Sequence, residues 1–151
     1  MRDILFRGQT RRKGERVRMG DGKPLKSHWV YGGIFPQNNG GDFAIIYSQE
    51  PVEKFTVYAD TVGQYIGLND KRNHLIFDGD NVRYLDEVTG KDKICTIRWH
   101  EDFASFAMEY KSKMGLQYMH ISKTMANKCE IIGNIYDNPE LLGKESETEI
   151  L

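Results

Sequence analysis

The sequence has few cysteines and prolines and no long apolar run. Its two cysteines, Cys95 and Cys129, lie far apart, and neither has a partner at the spacing of a zinc site. This excludes a disulfide scaffold and predicts two free thiols in a reducing compartment. The longest uninterrupted apolar run, Phe43–Tyr47, is far shorter than the ~20 residues that a membrane span needs. We therefore expect no membrane span, no secretory signal and a cytoplasmic protein.

Motifs of catalysis and of cofactor binding are also missing. There is no Gly-x-Ser-x-Gly, no phosphate-binding loop of Walker spacing and no pair of histidines one helical turn apart. We therefore assign no catalytic residue, no metal ligand and no cofactor. Asp78-Gly79-Asp80 could be a cation-binding loop, but a tight turn capped by the two aspartates is the better interpretation. One enzymatic hypothesis stays open, a site built from several of the following residues: Asp78, Asp80, His100, Glu101 and Asp102.

Positive charge is concentrated near the start of the sequence, although the chain as a whole is almost neutral. The formal net charge is −1, yet residues 1–26 hold nine Lys/Arg against three Asp/Glu. Such a segment can follow a phosphate backbone, and the aromatic rings of Trp29, Tyr31 and Phe35 could stack on bases. Residues such as Trp29, Phe35 and Trp99 are, however, more often part of a core. The near-neutral total and the pI of about 6.4 argue against a dedicated nucleic-acid-binding domain, and a solvated loop is the simpler interpretation. The candidate phosphate contacts are Arg7, Arg11, Arg12, Lys13, Arg16 and Arg18.

Short runs rich in β-branched and aromatic residues, separated by turns, predict a mostly β fold. His28–Phe35 and Lys93–Trp99 are examples, and the second run places Cys95, Ile97 and Trp99 on one face. Phe103–Met114 is ambiguous, because its apolar residues fit a helical stripe slightly better than strand alternation. Asn138–Leu142 predicts a final helical turn with Pro139 at its first position.

Five blocks of the chain follow one another in a recognisable order: Asp3–Gly8, Trp29–Gly32, Thr61–Lys71, Ile76–Val82 and Ile131–Leu142. Together they resemble the YopX family over about residues 2–142. No catalytic residue comes with this resemblance, because the family has no established activity.

The resemblance implies a protein of bacteriophages and prophages with a mostly β architecture. A small N-terminal β subdomain (about residues 1–73) would precede an SH3-like barrel (about residues 74–142) and an acidic, frayed tail (residues 143–151). The resemblance also favours a strand for Phe103–Tyr110. The basic connection Arg11–Ser27 is longer than in many members, so a function placed there would be particular to this chain.

Together these observations predict a non-enzymatic binding module without a cofactor. It would act on a phage or host protein in the cytoplasm of the bacterial host. The alternative is a nucleic-acid-binding protein that uses the basic loop of residues 11–26. Exposed barrel edges also make a homo-oligomer an option.

Overall fold

The computed structural model describes residues 3–15, 28–35, 41–49 and 52–141. Of these residues 62% lie in strands and 11% in helices, which confirms the mostly β prediction. The chain divides into two compact units, residues 1–65 and 66–151, whereas the sequence placed the boundary near residue 73. The basic residues 16–27 and the acidic tail 143–151 lie outside the described residues.

The first unit is an antiparallel sheet with the order β4-β3-β2-β1, and the first residues of β5 lie beside β1. A short 3-10 turn, Ala59–Thr61, links β4 to β5. The strands are β1 (Phe6–Arg11), β2 (His28–Phe35), β3 (Phe43–Gln49), β4 (Val52–Tyr58) and β5 (Gly63–Asn69).

A small apolar core forms between the strands of the first unit. Val30, Ala44, Ile46 and Val57 are its buried residues. β1 packs against β4 because Gly8 has no side chain: a Cβ there would lie 2.8 Å from Cγ2 of Val57. Because side chains alternate along a strand, every second residue of β2 and β3 points away from this core.

The second unit is a five-stranded antiparallel sheet with the order β10-β9-β8-β7-β11. β10 and β11 end the sheet without pairing with each other, so the strands that the structure describes form no closed barrel. The closed barrel implied by the family resemblance is therefore not found. The elements are β6 (Leu75–Phe77), β7 (Asp80–Asp86), β8 (Lys91–His100), β9 (Ser105–Ser112), β10 (Gly115–His120), α1 (Lys123–Ala126) and β11 (Cys129–Asn134).

The core of the second unit lies on one face of this sheet. It contains Val82, Cys95, Ile97, Met108 and Cys129, all fully buried. The alternation predicted for β8 is confirmed at Cys95 and Ile97. At the end of the strand, however, Trp99 is 48% exposed.

The ambiguous segment is a strand over Ser105–Ser112, as the family resemblance implied, and the helical stripe is wrong. Hydrogen bonding to β8 on one side and β10 on the other satisfies its backbone. Asp102 does not cap a helix but lies in a 3-10 turn, Glu101–Phe103. The final helical turn is confirmed as a 3-10 turn at Pro139–Leu141.

Candidate binding surfaces

Four aromatic side chains project from the outer face of β2 and β3. Their exposed fractions are 47% for Tyr31, 54% for Phe35, 49% for Phe43 and 40% for Tyr47. They are exposed because the alternate residues of the same strands fill the core. We call these four residues the aromatic face.

The middle of the aromatic face has no side chain at Gly33. Gly33 lies opposite Tyr47 in the strand register, and a Cβ on Gly33 would meet no atom within 4 Å. The rings of Phe35 and Tyr47 meet edge to face, with centroids 6.2 Å apart. Gly33 therefore leaves open space on the strand between Tyr31 and Phe35.

A groove of about 320 Å³ lies next to Phe43. In it, the guanidinium of Arg12 donates two hydrogen bonds to Asp60, of 2.9 and 3.0 Å, and lies 4.2 Å from the Tyr58 ring centroid. The hydrogen bond to Asp60 raises the pKa of Arg12. The Tyr58 hydroxyl donates to Glu15, 2.5 Å away. Because the acids balance the cation, this groove offers no bare positive charge.

The six basic residues predicted as phosphate contacts lie in different surroundings. Arg7 is buried, with its guanidinium carbon 4.5 Å from the Trp29 ring centroid. Arg12 pairs with Asp60, and Arg11 and Lys13 are exposed. Arg16 and Arg18 lie outside the described residues.

Of the predicted stacking residues, Trp29 is half-buried, and Tyr31 and Phe35 are exposed. The expectation that Phe35 and Trp99 lie in the core is wrong, because both are about half exposed. Sequence reasoning also missed Phe43 and Tyr47. Their signal was the alternation of β3, which separates two faces without showing which one is buried.

Two acidic residues of the enzymatic hypothesis, Asp78 and Asp80, lie at the turn before β7. Asp80 is buried and its Oδ2 accepts a 2.8 Å hydrogen bond from the Phe77 N–H. This carboxylate caps the turn at Gly79, whose φ is +95°. Asp78 forms an ion pair with Arg98 at 3.7 Å. The interpretation as a capped turn is thus confirmed at Asp80.

His100 does not join the acidic residues into a site. Its ring stacks on Phe103 and meets the edge of Tyr118, with both centroid distances 4.4 Å. Glu101 and Asp102 are exposed in the 3-10 turn. Within the described ranges, no three His, Cys, Asp or Glu side chains come together as a metal site.

The rings around His100 border a groove of about 240 Å³ beside β10. We call it the Phe103 groove. Glu109, which is half-buried on β9 opposite Tyr118, has a raised pKa, chiefly because burial disfavours its charged form, while Arg98 and His100 act in the opposite direction. The groove is lined by Phe103, Ala107, Gln117, Tyr118, Met119 and His120.

Two antiparallel β units, one with exposed aromatic rings and one with an apolar groove, define a small all-β protein. Within that class the chain belongs to the YopX family, since the family model described as YopX protein matches residues 26–143. No curated protein matches the chain.

A solved structure shares this fold. It is the crystal structure of protein EF1440 from Enterococcus faecalis, with 21% identity and a TM-score of 0.50. The similarity covers 94% of this chain and 99% of the other, and at this identity it concerns the fold alone. No helix within the described residues is both long and apolar enough to cross a membrane.

Proposed function

We propose that this protein is a non-enzymatic binding module that recognises another protein through the aromatic face. The supporting observation is that Tyr31, Phe35, Phe43 and Tyr47 are each 40–54% exposed on adjacent strands. Clustered exposed apolar side chains mark interaction sites on soluble proteins. Tyrosine and phenylalanine are enriched in protein interfaces, because they bury a large area at a small entropic cost.

Charge favours a protein partner over a nucleic acid. The whole chain has a net charge of −1, whereas binding to phosphates depends on a surplus of cations. In the first unit Arg7 is buried and Arg12 is neutralised by Asp60. A cluster of exposed tyrosine and phenylalanine rings is typical of a protein interface.

The family resemblance supports a more specific form of this proposal. The partner is a phage or host protein, and binding takes place in the cytoplasm of a bacterium. The second unit is an SH3-like module, and no cofactor takes part.

Photo-cross-linking tests the aromatic face directly. We replace Phe35 or Tyr47 with p-benzoylphenylalanine in the native bacterial host. The matched control carries the same residue at Val88, which is 95% exposed in the turn before β8. We expect a nuclease-resistant, protease-sensitive adduct at Phe35 and Tyr47 and none at Val88. Adducts of equal yield at all three positions, or adducts that nuclease removes, contradict the proposal.

Nucleic-acid binding is the second candidate, and the presence of exposed rings and exposed cations in one unit favours it. Tyr31 and Phe35 are exposed in the same unit as Arg11 and Lys13, and bases stack well on such rings. Fluorescence anisotropy with short labelled DNA and RNA, at low and physiological salt, tests it. Micromolar binding that falls steeply with salt and is lost in R11E/K13E would replace the protein proposal. Absence of binding at low salt removes this candidate.

A further inference from the structure

The two end strands of the five-stranded sheet differ in how their outer edges are covered. At β11, the Ile131 N–H donates to Asp70 Oδ2 over 3.1 Å, and the Lys71 N–H donates to the Cys129 carbonyl over 2.9 Å. Lys71 and Arg72 also form ion pairs with Glu130. Within the described part of the chain, β10 pairs only with β9. Its outer edge therefore presents backbone donors and acceptors to solvent.

β10 also lacks the features that normally protect an edge strand. Charged side chains, proline or a bulge usually prevent unwanted pairing. The six residues Gly115–His120 include no Lys, Arg, Asp, Glu or Pro. They pair with Ser112–Ala107 without a register shift. The strand is thus straight, neutral and open to an added strand.

The charge around β10 indicates what kind of strand fits. Residues 111–123 contain Lys111, Lys113 and Lys123 but no Asp or Glu, so lysines flank both ends of β10, while the exposed Glu101 and Asp102 lie in the turn before β9. A second copy in antiparallel pairing would bring Lys113 of one chain towards Lys123 of the other, and like charges disfavour such a pair. A segment with acidic residues at both ends complements this edge better than a second copy does.

The Phe103 groove gives the added strand a place for a side chain. Tyr118 and His120 lie on the face of β10 opposite to the core, since Met119 pairs with the buried Met108. A strand on β10 points every second side chain to that same face. There the groove, about 240 Å³ in volume, offers an aromatic and apolar lining.

We propose that β10 and the Phe103 groove bind an extended segment of a partner protein as an additional antiparallel strand. The segment is apolar at its centre and acidic at both ends. Backbone hydrogen bonds to β10 supply affinity, and the groove and the three lysines supply specificity. This surface lies within the second unit and does not depend on the aromatic face.

The test uses a capped nine-residue peptide in which threonine and valine alternate between two glutamates at each end. Its control has lysines in place of the glutamates. We expect binding of the acidic peptide to the full chain to be about tenfold tighter, since several charge pairs each add a fraction of a kcal/mol. Hydrogen exchange should slow at residues 115–120 when the acidic peptide is bound. Equal affinity for both peptides, or no binding at millimolar concentration, overturns the proposal.

Substitutions at the edge separate this site from others. Leu116 is 55% exposed on β10, and Leu116→Glu should weaken binding of the acidic peptide about tenfold by repelling its charges and removing an apolar contact. Val88→Glu, in a turn distant in sequence from β10, is the matched control and should leave affinity unchanged. Sedimentation measures self-association. A concentration-dependent dimer that Leu116→Glu abolishes would assign the edge to a second copy and contradict the proposal.

Discussion

Two adjacent glycines of β2 differ in their tolerance of a side chain. A Cβ on Gly32 would overlap the carbonyl oxygen of Tyr47, whereas a Cβ on Gly33 meets open space. We expect Gly32→Ala to lower the free energy of unfolding by about 2–3 kcal/mol, because β3 must shift. Gly33→Ala should change it by no more than about 0.5 kcal/mol. Urea denaturation measures both values, and equal effects of the two substitutions would contradict the close approach at Gly32.

Ala104 has a left-handed backbone conformation, with φ 47° and ψ 43°. This conformation costs an L-residue roughly 1–2 kcal/mol, a cost that glycine avoids. Part of the gain is lost because glycine has more freedom in the unfolded chain. We expect Ala104→Gly to stabilise the protein by up to about 1 kcal/mol and Ala104→Val to destabilise it. Thermal melting checks both, and a lower melting temperature for Ala104→Gly would show that the strain is absent.

Among the elements, β9 carries a carboxyl group whose protonation affects folding. Burial raises the pKa of Glu109 above its ordinary value of 4.5. The folded protein therefore binds this proton more tightly than the unfolded chain does, and stability falls as pH rises through the raised pKa. We expect Glu109→Gln to exceed the wild type in melting temperature at pH 7, and the difference to shrink towards pH 4. The exposed Glu53→Gln serves as the control and should show no such trend.

The strands on either side of β7 each bury a thiol. Cys95 on β8 lies opposite Val82 of β7, and Cys129 on β11 lies opposite Tyr84 of β7. Burial raises the pKa of each thiol from 9.0 to about 12. In the unfolded chain the thiols ionise near their ordinary pKa, so stability is lost as pH rises from about 9 to about 12. Urea denaturation at increasing pH over this range should show that decline, and a flat profile would contradict the burial of the thiols.

At the scale of the whole molecule, local patterns predicted strands better than they predicted the partners of those strands. His28–Phe35 is a strand with the bounds that its composition indicated. Phe103–Met114 could not be assigned from its own residues, because Phe106 and Tyr110 share one face both in a helix and in a strand. Pairing with β8 and β10 makes it a strand, and those contacts involve residues distant in the sequence.

The same limit applies to the candidate surfaces. In β2 both Val30 and Tyr31 are apolar enough for a core, and only the position of β4 shows that Val30 is buried. The Phe103 groove joins Phe103 to Tyr118, which become neighbours through the β9–β10 hairpin. The open edge at β10 is visible only in the strand order of the complete sheet.

The location of the two cysteines has a consequence for experiments on the intact chain. Both lie between residues 66 and 151, and the first unit has none. A thiol reagent added to the unmodified protein therefore reacts only when the second unit opens. The rate of labelling therefore reports the opening of that unit alone, and tryptophan fluorescence reports on Trp29 in the first unit once Trp99, which lies in the second, is replaced by phenylalanine. Cooperative and sequential unfolding can thus be distinguished with this one substitution.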